Sequence, residues 1–183
     1  SDEPNKDRLL VDLVSYVLDK LHYDPKIVND DFSIKVYDEF IEAIDYQKRF
    51  LLDSDIEMLS KYRLLIDDQI NSSDITFFNT AYELLINRIS EVEGFYEEIL
   101  NEPFNFNIDE EISLDYENLN YATNLNDLKN RWRKRLKLSA LDAYASKKEI
   151  NEDKSDLEKS QTKTDDEIEI ESRSSIKDNL KDF

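Results

Sequence analysis

Residues 78–99 read FNTAYELLINRISEVEGFYEEI, and the fold class follows from how this stretch is spaced. Phe78, Tyr82, Leu85, Ile89, Val92, Tyr96 and Ile99 recur at alternating steps of four and three, which sets them along one side of an α-helix packed lengthwise on another helix. The stripe suits the spine of an intramolecular bundle better than a coiled-coil seam offered to another protein. Gly94 lies inside it at a cost of about 1 kcal/mol relative to Ala, marking a close helix approach or a small bend. Pro103 ends the helix.

The same period continues upstream. Leu9, Leu10, Leu13, Val14, Val17, Leu18 and Leu21 predict a first helix from Asp7 to about Leu21, broken by His22-Tyr23-Asp24-Pro25. Asn29-Asp30-Asp31 supplies cap side chains for a second, with Phe32, Val36, Tyr37, Phe40, Ile41 and Ile44 inward. Ser54 and Glu57 have capping-box spacing and open a third helix carrying Ile56, Leu59, Tyr62, Ile66 and Ile70.

Downstream, Asn101 to Asp127 holds seven acidic residues and no basic one, interspersed with Phe104, Phe106, Ile108, Ile112, Leu114, Tyr116, Leu119 and Tyr121. That apolar content suits an ordered acidic arm packed on a surface. Leu125, Leu128, Trp132, Leu136, Ala140 and Ala143 then restore helical spacing after Asn124 or Asn126 as cap, giving a fifth helix to about Ser146. From Lys147 the apolar residues thin out. Residues 147–183 read as a charged connector, helical in character from Asp165 to Phe183, that needs a partner or a larger body to pack against. The expectation is an all-α, irregular bundle of about five main helices over residues 7–146. No solenoid repeat is visible.

Composition supports this. Gly94 is the only glycine in 183 residues, where roughly 7% or about a dozen is usual, so hairpins, P-loops and Rossmann turns have little to be built from. Forty-three acidic against 24 basic residues give a net charge of -19, which opposes polyanions and anionic membranes. No cysteine occurs, excluding disulfides and thiolate chemistry and leaving the redox compartment open. No stretch approaches the ~20 apolar residues of a membrane helix. The start, Ser1-Asp2-Glu3-Pro4, has neither an initiator Met nor a signal-peptide pattern, which reads as a chain trimmed from a longer one.

Chemistry is sparse. His22 is the only histidine, so a His-based metal cage would be incomplete without unusual substitutes, and a helix-end histidine reads as structural or exposed. Asp109-Glu110-Glu111 lacks EF-hand spacing. Asn71-Ser72-Ser73 matches a glycosylation sequon but reads as a turn and helix cap. Lys129, Arg131, Arg133, Lys134, Arg135 and Lys137 surround Trp132 and break the acidic background. They read as partners for the acidic arm or another domain, with Trp132 as a core anchor, rather than as a nucleic-acid grip. The sequence thus offers no catalytic, cofactor-binding or metal-binding residue.

The run Asp31-Phe32-Ser33-Ile34-Lys35-Val36-Tyr37-Asp38-Glu39-Phe40-Ile41-Glu42-Ala43-Ile44-Asp45, continued by Phe50-Leu51-Leu52-Asp53-Ser54-Asp55-Ile56, resembles the N-terminal domain of tail-specific (carboxy-terminal processing) proteases. His22-Tyr23 matches the end of the preceding family helix, and Leu128 to Ala145, with Trp132, resembles the helix before a charged connector. The resemblance spans about residues 10 to 146. It implies a periplasmic or envelope serine endopeptidase that recognises apolar C-terminal tails through a PDZ domain and cleaves with a Ser/Lys dyad. On that reading the nucleophile, its base and the PDZ domain lie beyond Phe183, and no residue here inherits a catalytic role. The chain is then a non-catalytic scaffold that helps frame a substrate enclosure. Its partners are the protease and PDZ domains of the same chain, protein substrates with apolar tails and an adaptor protein, with no nucleic acid and no membrane insertion. The alternative is a freestanding helical adaptor that binds a partner helix through the Phe78–Ile99 stripe or the Trp132 region.

Overall fold

Tight pairs of apolar residues at helical spacing, separated by short polar caps, give a chain that is helix after helix. The computed structural model describes residues 3–153 and 162–180. Among them are seven α-helices and no strand: α1 Glu3–Lys20, α2 Asp30–Asp45, α3 Asp53–Ser60, α4 Ile66–Asn71, α5 Thr76–Leu100, α6 Leu125–Glu152 and α7 Asp165–Leu180, with a 3-10 turn at Pro25–Ile27. The fold is all-α. The expected connector falls partly on residues 154–161 and 181–183, which lie outside the described residues.

The chain divides into two units, one formed by residues up to Ser90 with Asp115–Leu128, the other by Glu91–Leu114 with Lys129 onward. In the first unit, α1, α2, the α3–α4 region and the start of α5 share one core of Leu10, Val17, Phe32, Val36, Phe40, Leu59, Ile66, Phe77 and Phe78. Phe77 is its hub, with ring centroids 5.4 Å from Tyr37, 5.5 Å from Phe40, 5.8 Å from Tyr62 and 5.3 Å from Phe78. A one-sided stripe beginning at Phe78 misses Phe77, because α5 is enclosed on more than one side here. Phe78, Tyr82, Leu85, Val92 and Ile99 are buried as expected, while Ile89 and Tyr96 are half-buried.

Helix ends follow side-chain chemistry. Asn29 caps α2, its Oδ1 accepting from the Phe32 amide at 3.0 Å. Asn124, rather than Asn126, caps α6, accepting from the Asp127 amide at 2.9 Å. Thr164 and Glu167 exchange reciprocal bonds at the start of α7. The lone histidine has a structural post: His22, at φ 52°, terminates α1, with the Tyr23 amide donating to the Leu18 carbonyl and the His22 amide to that of Asp19. Ser73, at φ 56°, ends α4 in the same way, so the sequon does mark a turn.

Four expectations need correction. Helix one begins at Glu3 rather than Asp7, and Leu9 is 58% exposed because it falls beside the Leu10–Val17 line rather than on it. The third helix is two, with turns at residues 61–65. There the Ser33 hydroxyl of α2 donates to the Arg63 carbonyl at 2.7 Å and accepts from the Ile66 amide at 2.9 Å. A side chain inserted in this way interrupts the helical ladder. Helix five runs on to Glu152. Finally, an added Cβ at Gly94 meets nothing within 4 Å, so the close helix approach, one of the two readings of that glycine, does not occur there.

In the second unit Val92, Ile99, Leu100, Trp132, Leu136 and Ala140 are buried, and Trp132 meets Tyr96 edge-on at 4.9 Å. Helix α7 buries Ile168, Ser172 and Ile176. Its Arg173 donates to the Leu100 carbonyl at the end of α5 at 3.1 Å and to Glu169 at 2.6 Å. Part of the segment expected to await an outside body therefore packs within this chain.

Candidate functional site

Within the family-like run, whose apolar residues such as Phe32, Val36 and Phe40 are buried, three polar residues, Ser33, Asp45 and Asp55, act as ties. Asp45, buried at the end of α2, accepts from three successive backbone amides, Arg49 at 2.8 Å, Phe50 at 3.1 Å and Leu51 at 2.8 Å. Burial pushes its carboxyl up, and the three N–H donors oppose that. The Asp45 charge also adds to the burial that pushes the Tyr121 phenol up to about 12. Lys48, at φ 51°, lies inside this loop, and its ammonium donates to the Tyr116 carbonyl at 2.5 Å. Leu51 and Leu52 are buried, and the Asp53 amide donates to the Ala122 carbonyl at 2.9 Å, so the acidic segment returns alongside this loop.

Asp55 has two roles. At the third position of α3 its Oδ2 accepts from the Leu52 amide at 2.9 Å, capping the helix where Ser54 was the expected cap. The same carboxylate holds Arg88 of α5 in a fork, Nε to Oδ2 at 2.8 Å and Nη2 to Oδ1 at 2.9 Å, with both side chains largely buried. Sequence reasoning missed this pair. The available signal was an arginine within the otherwise apolar and acidic centre of α5.

The second unit contains the basic cluster. Lys129 pairs with Glu98, and Arg133 holds both carboxylate oxygens of Glu110. Lys137 donates to Glu110 at 2.6 Å and to the Ile108 carbonyl at 2.8 Å, and Lys134 to the Glu111 carbonyl at 3.2 Å. The Arg133 and Lys137 hydrogen bonds hold the Glu110 carboxyl down at about 2. Arg135 lies 5.7 Å from the Trp132 ring centroid. Internal pairing, the expected reading of this cluster, accounts for these cations. Beside them a cleft of about 490 Å³ is lined by Ile99, Phe104, Ile108, Lys129, Arg133 and Lys137. His22 shares a separate open cleft with Ser15 and Asp19. Among the described residues no group of three His, Cys, Asp or Glu side chains is placed to hold a metal ion, and no helix is long and apolar enough to cross a membrane.

The described residues thus form an all-helical domain in which several polar side chains make caps, loop ties and ion pairs. Residues 14–182 match the family described as "Tail specific protease N-terminal domain", and the chain belongs to that family. It is also similar to the "Tail-specific protease" of Haemophilus influenzae, 28% identical over 163 residues. That match covers 84% of this chain and 24% of the relative, so the chain spans about a quarter of the curated relative's length.

Proposed function

We propose that this chain is the non-catalytic N-terminal scaffold of a longer tail-specific serine endopeptidase of the periplasm, helping to enclose substrates that are degraded or processed from apolar C-termini. Residues 7–146 supply the helical frame, and residues 147–183 lead toward the PDZ and protease domains. The observation that carries this reading is the family match across residues 14–182 in a chain covering only 24% of a protease relative. The physical chemistry is consistent with it. Three polar residues of the family-like run, Ser33, Asp45 and Asp55, make hydrogen bonds that hold backbone in place, which is structural work.

The test compares this chain with the longer protein. A peptide with an apolar C-terminus should be cleaved by the full-length enzyme and left intact by residues 1–183 alone. Removing residues 14–182 from the full-length enzyme should lower processing of protein substrates more than cleavage of short peptides. Turnover by residues 1–183 that a point substitution abolishes would refute the proposal, as would an equal loss on both substrate types.

A further inference from the structure

Residues 101–114 contain no regular helix or strand, and apart from Phe104, Phe106 and Ile112 they are exposed, Ile108 at 55% and Leu114 at 66%. The segment is therefore held by particular contacts rather than by burial. Most come from one helix, α6. Arg133 and Lys137 clamp the Glu110 carboxylate, and Lys137 and Lys134 donate to the main-chain carbonyls of Ile108 and Glu111. Phe106 lies on Tyr144 with centroids 5.1 Å apart. From α7, Glu169 accepts the Phe104 amide at 3.1 Å.

Lysines that read carbonyls, a fork that reads one carboxylate and a ring that receives an aromatic residue are the means by which a protein binds an extended peptide. Here the bound peptide is part of the same chain. The cleft of about 490 Å³ between this strap and the helices shows that it does not close against them along its length. Arg133 is 37% and Glu110 21% exposed in their pair, and ion pairs at partly exposed positions are weak and screened by salt, so the strap can be exchanged over a Lys137 that it helps to bury.

We infer that the α6 face formed by Arg133, Lys134, Lys137 and Tyr144 is a receptor for extended acidic peptides, occupied in cis by residues 104–111. A partner protein that presents an aromatic residue four positions before a glutamate, as Phe106 stands before Glu110, displaces the strap and takes its place. This goes beyond the scaffold reading and does not rest on it.

The experiment uses the purified chain and a fluorescent peptide of residues 101–114. Glu110→Gln weakens the cis occupant, so the peptide should bind this variant at least about ten-fold more tightly than wild type, with affinity falling between about 50 and about 500 mM NaCl. Hydrogen exchange across 104–114 should rise about ten-fold in the variant while the rest of α6 stays protected. Lys137→Ala added to Glu110→Gln should abolish peptide binding. Equal affinity for wild type and Glu110→Gln, unchanged exchange across 104–114, or undiminished binding in the Lys137→Ala, Glu110→Gln double variant would each overturn the inference.

Discussion

Arg88 of α5 and Asp55 of α3 form a two-pronged ion pair at 2.8 and 2.9 Å, 17% and 7% exposed respectively. Removing one partner strands the other's charge, which for a buried pair costs about 3–5 kcal/mol. Arg88→Met and Asp55→Asn should therefore each lower the urea midpoint, and the two combined by less than the sum of the single effects, since the double variant leaves no orphan charge. Additive single and double effects would show that the two side chains do not act together.

Ser33 is the second long-range tie. Ser33→Ala leaves the buried Ile66 amide without its acceptor, a loss of about 1–3 kcal/mol. The first local sign should be faster amide exchange at Ile66, with Asn29 and Phe32 at the cap of α2 unaffected. Unchanged exchange at Ile66 would show that the hydroxyl does not hold the α3–α4 break.

Gly94 offers the opposite sign. It is exposed, helical and free of neighbours within 4 Å of an added Cβ. Gly94→Ala should stabilise by about 1 kcal/mol, which for a chain of this size is about 2–4 °C in Tm. A fall in Tm would reveal a tight contact at that position.

Glu110 gives the pH dependence. Its folded value of about 2 lies below the ordinary 4.5, so the folded state prefers the carboxylate. The resulting stability is fully present above pH 4.5 and is lost as pH falls from there toward about 2. The stability advantage of wild type over Glu110→Gln, measured by denaturation, should therefore shrink steadily between pH 5 and pH 2.5. A difference that stays constant across that window would sever the Glu110 clamp from stability.

Much of this architecture was legible in local spacing. Asn29 capping α2, an asparagine at 124 or 126 capping α6, Trp132 as a buried anchor and the internal pairing of the basic cluster all follow from side-chain type and position. The missed features depend on residues far apart in sequence. Leu59, Tyr62, Ile66 and Ile70 keep a helical period straight across a break caused by Ser33, thirty residues upstream of Arg63. The Arg88–Asp55 pair spans thirty-three residues, and no local pattern selects Glu110 from its acidic neighbours as the group that Arg133 and Lys137 share. Leu9 failed for a simpler reason, since it lies about 100° from Leu10 around the helix and falls outside the face that this core covers.

The loop after α2 has a kinetic consequence. In a helix or sheet each amide proton is shielded by a different carbonyl, and neighbours can exchange with solvent one at a time. The protons of Arg49, Phe50 and Leu51 all depend on a single carboxylate, that of Asp45, so one rotation of that side chain uncovers the set, and the three should exchange as one event although they belong to no regular element.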